Sequence, residues 1–214
     1  MKTTVAEKVR TEIAKQPGRV FTAADLKHLP ATTNTLERTL ARLAERGDIR
    51  RISRGLYHYP KPGKLYRELP PKPEQVAQTL AQAKGAKLVP SGAMALHRLG
   101  LTTQVPMKYV YLTNRSSRIE RLGKLTVELK KVSERRLSGA GTKAGEILSA
   151  IEYVGPKEAR GQNFVSELAR KMDSHDADQL QEASKPRAAW VRSVVEEIIK
   201  TWRSINELPA ESSA

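Results

Sequence analysis

A stretch of thirty residues, Ala31–Pro60, constrains the fold of this chain more than any other. Its first half carries an apolar stripe at helical spacing, formed by Leu36, Leu40 and Leu43. Residues three or four apart share one face of a helix, so the stripe predicts an amphipathic helix. Gly47 is typical of the residue that ends a helix, and Gly55 of a tight turn between strands. The stretch therefore predicts a helix followed by a short hairpin.

The polar side chains of that helix point away from the leucines, because the chain turns by about 100° per residue. The helix begins near Thr33 or Asn34, and Asn34 with Glu37 would form a capping pair. In the major groove, arginine can bind guanine and asparagine can bind adenine with two hydrogen bonds each. We therefore predict that this face reads bases, although most amphipathic helices simply expose such a face to water. The candidates are Thr33, Asn34, Thr35, Arg38, Arg42 and Arg46.

The segments on either side of Gly55 predict a basic hairpin. Ile49–Ile52 alternates between isoleucine and arginine, and Leu56–Tyr59 is the returning strand, whose two tyrosines are expected to pack against the unit. Between Arg38 and Arg67 the chain has nine Lys/Arg and two acids, so phosphate contacts there would release counterions and depend on salt. The candidates for phosphate contact are Arg50, Arg51 and Arg54.

Two earlier helices complete this N-terminal unit. A stripe of valine and isoleucine predicts a first helix that ends at Pro17. A second, short helix is predicted by Thr22 and Asp25, which can cap its start, and by Phe21 and Leu26, which can pack across that cap. Helices followed by a β-hairpin are the layout of a winged helix-turn-helix, in which one helix enters the major groove of DNA.

Composition supports a polyanionic partner. The net charge is +15 and the isoelectric point is near 10.1, values typical of nucleic-acid-binding proteins, although a merely basic soluble surface is the alternative. The chain has no cysteine, and its four histidines lack ligand spacing, so we expect no metal and no cofactor. It has no apolar run of about 18 residues and no signal-peptide pattern. We expect a cytoplasmic, nucleoid-associated protein without a membrane partner.

A proline-dense connector over residues 60–73 separates this unit from a longer second part, and we place the boundary near Pro70. We expect a winged-helix domain with its connector at 1–69, a mixed α/β domain at 70–205 and a disordered tail at 206–214. The predicted fold class is α+β.

The second domain is expected to hold a small antiparallel sheet and several helices. One helix starts at Pro73, the strand LVP follows, and Ser91 caps the next helix. Alternation predicts strands over 108–113 and 124–132, and three amphipathic helices follow Gly145, the last opened by Pro186. The link between the two strands is basic, with Arg115, Arg118 and Arg121; it is either a solvated loop or an additional contact with DNA or with an acidic or nucleic-acid-bearing partner.

Two segments carry a family resemblance, LARLAERGDIRRISRGLYHYP and LVPSGAMALHRLGLTTQVPMKYVYLT. The first resembles the winged helix of AbiEi-type antitoxins, which are transcriptional regulators of bacterial type IV toxin–antitoxin systems. The second is similar to the C-terminal domain of the same family. The resemblance covers residues 1 to about 200. It implies a repressor that binds its own promoter, as a dimer or a monomer, and counteracts a nucleotidyltransferase-like toxin without a stable complex.

Enzymatic signatures are few. The chain has no phosphate-binding glycine loop of the usual spacings and no nucleophile elbow. Glu128 and Lys130 share one strand face, as in metal-dependent nucleases, but only Glu120 could supply a second local carboxylate. We expect no catalytic residues. A regulator whose second domain senses a ligand or partner is the alternative, and a nuclease is a remote one.

Overall fold

The computed structural model describes residues 4–61 and 68–206, and it has an α+β fold. The helices of these residues are α1 (Val5–Ala14), α2 (Thr33–Glu45), α3 (Pro73–Gln82), α4 (Ala93–Arg98), α5 (Lys143–Glu158), α6 (Gln162–Arg170), α7 (Ser174–Ser184) and α8 (Ala189–Asn206). The strands are β1 (Val20–Phe21), β2 (Arg50–Ser53), β3 (Leu56–His58), β4 (Leu88–Ser91), β5 (Lys108–Thr113), β6 (Arg118–Leu122) and β7 (Leu125–Lys131). The strand orders are β1-β3-β2 in one sheet and β4-β5-β7-β6 in the other. Two 3-10 helices, Ala23–Leu26 and Glu134–Leu137, complete the list.

The chain divides into two compact units with three boundaries along the sequence, the last of which falls within β7. The first unit comprises Met1–Ala86 and Arg118–Glu128, and the second comprises Lys87–Ser117 and Leu129–Ala214. The first unit therefore continues beyond the boundary expected near Pro70. One reason is that α3 packs on β1, where the Thr79 hydroxyl donates a hydrogen bond of 3.2 Å to the Val20 carbonyl. Residues 62–67 of the expected connector and 207–214 of the expected tail lie outside the described residues.

The core of the first unit follows the sequence patterns closely. Leu36, Leu40 and Leu43 of α2 are fully buried, which confirms the stripe. They pack with apolar side chains of α1, β1, the first 3-10 helix, β3 and the residue before β2, namely Val9, Ile13, Phe21, Ala23, Leu26, Ile49 and Tyr57. This packing fixes which face of α2 remains in contact with solvent.

Capping residues set the starts of the helical elements. Thr22 and Asp25 form the expected capping box, with Asp25 accepting from the Thr22 backbone N–H at 2.8 Å, although the element it opens is a 3-10 helix. The expected capping pair of Asn34 with Glu37 is wrong. Thr32 has an extended backbone and caps α2 by accepting from the Thr35 N–H at 3.3 Å, so Asn34 already lies inside the helix.

The chain after Pro70 contains more regular structure than the sequence predicts. The expected basic link after β5 contains β6, so the interpretation of that whole segment as a loop is wrong. Ser91 lies at the end of β4, and Gly92, with φ of 64°, precedes α4 without a side-chain cap. Four helices follow Gly141, because α7 forms on an apolar face too small to show in the periodicity, namely Ala177, Leu180 and Ala183. The last helix begins at Ala189 and not at Pro186.

The helices α5, α6, α7 and α8 share one hydrophobic core. β4 and β5 pair antiparallel, with Leu88 opposite Thr113 and Ser91 opposite Val110. The last helix, α8, is amphipathic as expected: Val194 and Ile198 are fully buried, and Trp190 and Trp202 pack against this core. Among the described residues, no helix is both long and apolar enough to cross a membrane.

Candidate nucleic-acid interface

The candidate base-reading residues all lie on the solvent-exposed side of α2. The leucine stripe is buried beneath them, and the six residues are exposed: Thr33, Asn34, Thr35, Arg38, Arg42 and Arg46. Thr35 is partly committed to the helix start, because its hydroxyl hydrogen-bonds the Thr32 hydroxyl at 2.9 Å. The three arginines are four residues apart and form one ridge, which ends at the C-cap residue Arg46.

The hairpin β2–β3 presents a second group of cations. The strands pair antiparallel with Arg51 opposite Tyr57, and a bulge lies between Arg51 and Ser53. The turn requires Gly55, whose φ of 75° is costly for residues that carry a Cβ atom. Arg51 and Arg54 are therefore exposed at the far end of the hairpin.

Four arginines of α2, its C-cap and the hairpin have no partner for their charge among the described residues. Within residues 4–61 and 68–206, their guanidinium groups form no hydrogen bond and no ion pair; they are Arg38, Arg42, Arg46 and Arg54. A guanidinium that already satisfies a carboxylate has less to offer a phosphate or a base. These four carry five donor N–H groups each in a fixed fork, which suits both ligands.

Arg50 differs from its neighbours because it is already paired. Its Nε donates to Glu68 at 2.9 Å, and its Nη1 donates to the Gly47 carbonyl at 2.7 Å. The bond to Gly47 ties β2 to the turn that follows α2, and the bond to Glu68 ties β2 to the segment before α3. Of the three arginines expected to contact phosphate, Arg50 is thus the least available, while Arg51 makes only a long contact of 3.4 Å with the Ser53 carbonyl.

A buried polar cluster holds the tip of the hairpin. The Ser53 hydroxyl donates to Glu120 at 2.9 Å, and Arg118 forms an ion pair with the same carboxylate. Arg118 Nη2 also donates to the Ser53 hydroxyl at 2.9 Å and to the Arg54 carbonyl at 3.1 Å. Glu120 is only 5% exposed. We call Ser53, Arg118 and Glu120 the hairpin clamp; β6 supplies two of its three residues.

The additional basic candidates thus separate into two kinds. Arg118 is committed to the hairpin clamp, whereas Arg115 and Arg121 are exposed; Arg115 interacts electrostatically with Glu134, and Arg121 has no side-chain partner among the described residues. Arg121 belongs to the first unit and Arg115 to the second. The clamp could not be recognised from the sequence, because Ser53 and Glu120 are 67 positions apart and no local pattern joins them.

The aromatic residues of the hairpin belong to the core. Tyr57 is buried, stacks on Phe21 with ring centroids 6.2 Å apart, and its burial raises its pKa. Burial lowers the pKa of His58, the next residue of β3. The expectation that these rings pack and do not stack on bases is consistent with their positions.

The acidic residues do not assemble a metal centre in the part of the chain that the structure describes. No group of three or more His, Cys, Asp or Glu residues there could hold a metal ion. Glu120, the carboxylate that a nuclease site at Glu128 would need, is already engaged by Arg118 and Ser53.

We expect Arg118→Ala to loosen the hairpin tip. The change removes the hydrogen bonds to Ser53 and to the Arg54 carbonyl and leaves Glu120 buried without its cation. Backbone amides of residues 53–56 should then exchange with solvent faster, as measured by hydrogen–deuterium exchange. Arg121→Ala is the matched control, since it removes the same charge from an exposed position of the same strand. Unchanged exchange in Arg118→Ala would show that the clamp does not order the tip.

Comparisons with known proteins place the chain in a family and assign no activity. The model of a family of unknown function, DUF6088, matches residues 5–177. The crystal structure of the RV2827C protein from Mycobacterium tuberculosis is similar to this chain at 14% sequence identity and a TM-score of 0.50, with 92% of this chain and 76% of that chain covered. At that identity the likeness concerns the fold alone. No curated protein matches the chain.

Proposed function

Because the chain belongs to DUF6088, a family of unknown function, its activity must follow from its own residues, and we propose that it is a DNA-binding transcriptional repressor. The first unit acts as a winged helix-turn-helix. The exposed ridge of α2 enters the major groove of double-stranded DNA, and the β2–β3 hairpin is the wing that grips the phosphate backbone.

The observation that carries this proposal is the set of four unpaired arginines on α2 and the hairpin tip. Burial of the leucine stripe forces Arg38, Arg42 and Arg46 to the surface, and the clamp holds the segment that bears Arg54. The net charge of +15 adds a long-range attraction for a polyanion. Guanidinium groups on a helix favour base edges, and those on a hairpin tip favour phosphates.

We further propose that the protein is the antitoxin of a type IV toxin–antitoxin system. This part rests on the resemblance of residues 40–60 and 88–113 to AbiEi-type antitoxins. In this proposal the protein represses its own operon, counteracts a nucleotidyltransferase-like toxin, and has no catalytic role of its own. It acts in the cytoplasm, where it associates with the nucleoid.

Arg42→Ala and Arg54→Ala should affect DNA binding differently. Arg42 is assigned to base contact, so its loss should cost about 1–3 kcal/mol at the cognate site and much less on random DNA. Arg54 is assigned to phosphate, so its loss should weaken both complexes similarly and reduce the salt slope by about one. Fluorescence anisotropy on cognate and random duplexes at several salt concentrations measures both. Equal losses on the two duplexes for Arg42→Ala would overturn its assignment as a base reader.

The antitoxin role has a separate test. If a gene for a nucleotidyltransferase lies beside this one, its induction should arrest growth, and co-expression of this protein should restore growth. Lack of rescue would remove the antitoxin role and leave the repressor, because the DNA-binding measurements do not depend on the toxin.

A further inference from the structure

A groove between α7 and α8 of the second unit concentrates positive charge. Its volume is about 480 Å³. Val195 and Ile199 of α8 form its floor, and both are buried. Four basic side chains and a single acidic one, Glu196, line its walls; the basic ones are Lys185, Arg192, Lys200 and Arg203.

This concentration is not a by-product of a basic region. From Glu158 to Asn206 the chain carries eight Lys/Arg and eight Asp/Glu, so the segment that builds the groove is neutral overall. Four of the eight basic residues in this segment line the groove, whereas only one of its eight acidic residues does. Cations gathered in one concave surface repel each other, and an anionic ligand would relieve that repulsion.

Three of the four cations have donors available for a ligand. The side chains of Lys200 and Arg203 make no hydrogen bond and no ion pair with any described residue. Arg192 donates through Nη1 to the Arg187 carbonyl at 2.7 Å, which orients its guanidinium and leaves the other N–H groups for a carboxylate. Lys185 pairs with Glu182, but both side chains are exposed, and such pairs contribute little.

We propose that this groove binds an acidic segment of a partner protein. A cavity of this volume admits a few side chains, whereas a DNA duplex is far too wide to enter it. Cationic walls above an aliphatic floor complement carboxylates that flank an apolar side chain. The proposal concerns a surface other than the DNA interface, so either can fail without the other.

A synthetic peptide of Asp, Glu and Leu, labelled with fluorescein, is a direct probe of this chemistry. We expect the full chain to bind it in an anisotropy titration at low ionic strength, and to bind a matched peptide of Asn, Gln and Leu at least about tenfold more weakly. Amide signals of α7 and α8 should shift on addition of the acidic peptide. Equal binding of the two peptides, or no binding of either, would overturn the proposal.

Charge reversal locates the site. The double variant Lys200→Glu with Arg203→Glu should weaken binding of the acidic peptide about tenfold or more. The control is Lys157→Glu with Arg160→Glu, which changes two exposed residues of the same unit outside the groove and should not weaken binding. Tryptophan fluorescence checks that each variant is folded, and Lys200→Gln with Arg203→Gln gives a milder second pair. Equal losses for the groove and control pairs, or groove signals that respond to a DNA duplex and not to the peptide, would contradict the assignment.

Discussion

Replacing Arg38 and Arg42 together with glutamate should abolish sequence-specific DNA binding. Both guanidinium groups are exposed on α2 and have no partner among the described residues, so the protein forfeits no internal contact in the change. A bidentate arginine–base contact contributes about 1–3 kcal/mol of discrimination, so two contribute about 2–6 kcal/mol, which corresponds to a loss of affinity of thirtyfold or more. The new carboxylates add repulsion from phosphate.

The measurement is an anisotropy titration on the cognate duplex at fixed salt. Lys157→Glu with Arg160→Glu is the matched control, because it changes the net charge equally at exposed positions of the second unit. If the two double variants lose affinity equally, the protein binds DNA through its overall charge and α2 is not the reading element.

Arg187→Ala should unfold the second unit at markedly lower denaturant concentration. The side chain of Arg187 is only 1% exposed; it donates to Glu152 at 2.7 Å and to the carbonyls of Arg136 and Ser138 at 3.0 and 3.2 Å. Removal of the Arg187 side chain leaves the Glu152 carboxylate with one partner fewer, and it leaves the carbonyls of Arg136 and Ser138 without this hydrogen-bond donor. Breaking a buried ion pair from one side costs about 3–5 kcal/mol.

Both tryptophans of the chain, Trp190 and Trp202, lie on α8, so their fluorescence reports urea unfolding of this unit alone. Arg136→Ala is the control, since Arg136 binds the same carboxylate at 2.7 Å but is 40% exposed and should cost about 1 kcal/mol or less. Similar losses for the two variants would show that burial of Arg187 adds nothing to the free energy of unfolding.

Local patterns in the sequence were sufficient where neighbouring residues decide the structure. The leucine stripe of α2, the capping box of Thr22 with Asp25 and the turn at Gly55 each depend on residues within a few positions. These features determine which side of α2 faces solvent, and with it most of the candidate interface. The start of α2 was expected near Thr33 or Asn34 and lies at Thr33; only its capping residue was wrong, because Thr32 and Asn34 are both good caps.

Features made by distant segments could not be read in the same way. The packing of α3 against β1 extends the first unit beyond Pro70, and no pattern near residue 70 reveals it. From the sequence, Arg118 was expected to be one more free cation of a basic link. In the structure it forms an ion pair with Glu120 and a hydrogen bond with Ser53 in the hairpin clamp. Arg50 was grouped with its neighbours, although Glu68 neutralises it. In each case the partner is decided by tertiary packing, not by spacing.

The central claim is that α2 and the hairpin bind specific DNA, and a footprint on the DNA upstream of the protein's own gene tests it most directly. The account predicts a protected site and an affinity for it well above that for random DNA. The logarithm of the binding constant should fall linearly with the logarithm of the salt concentration, with a slope set by the number of phosphates contacted. No protected site, or an affinity that does not differ between upstream and random DNA, would contradict it.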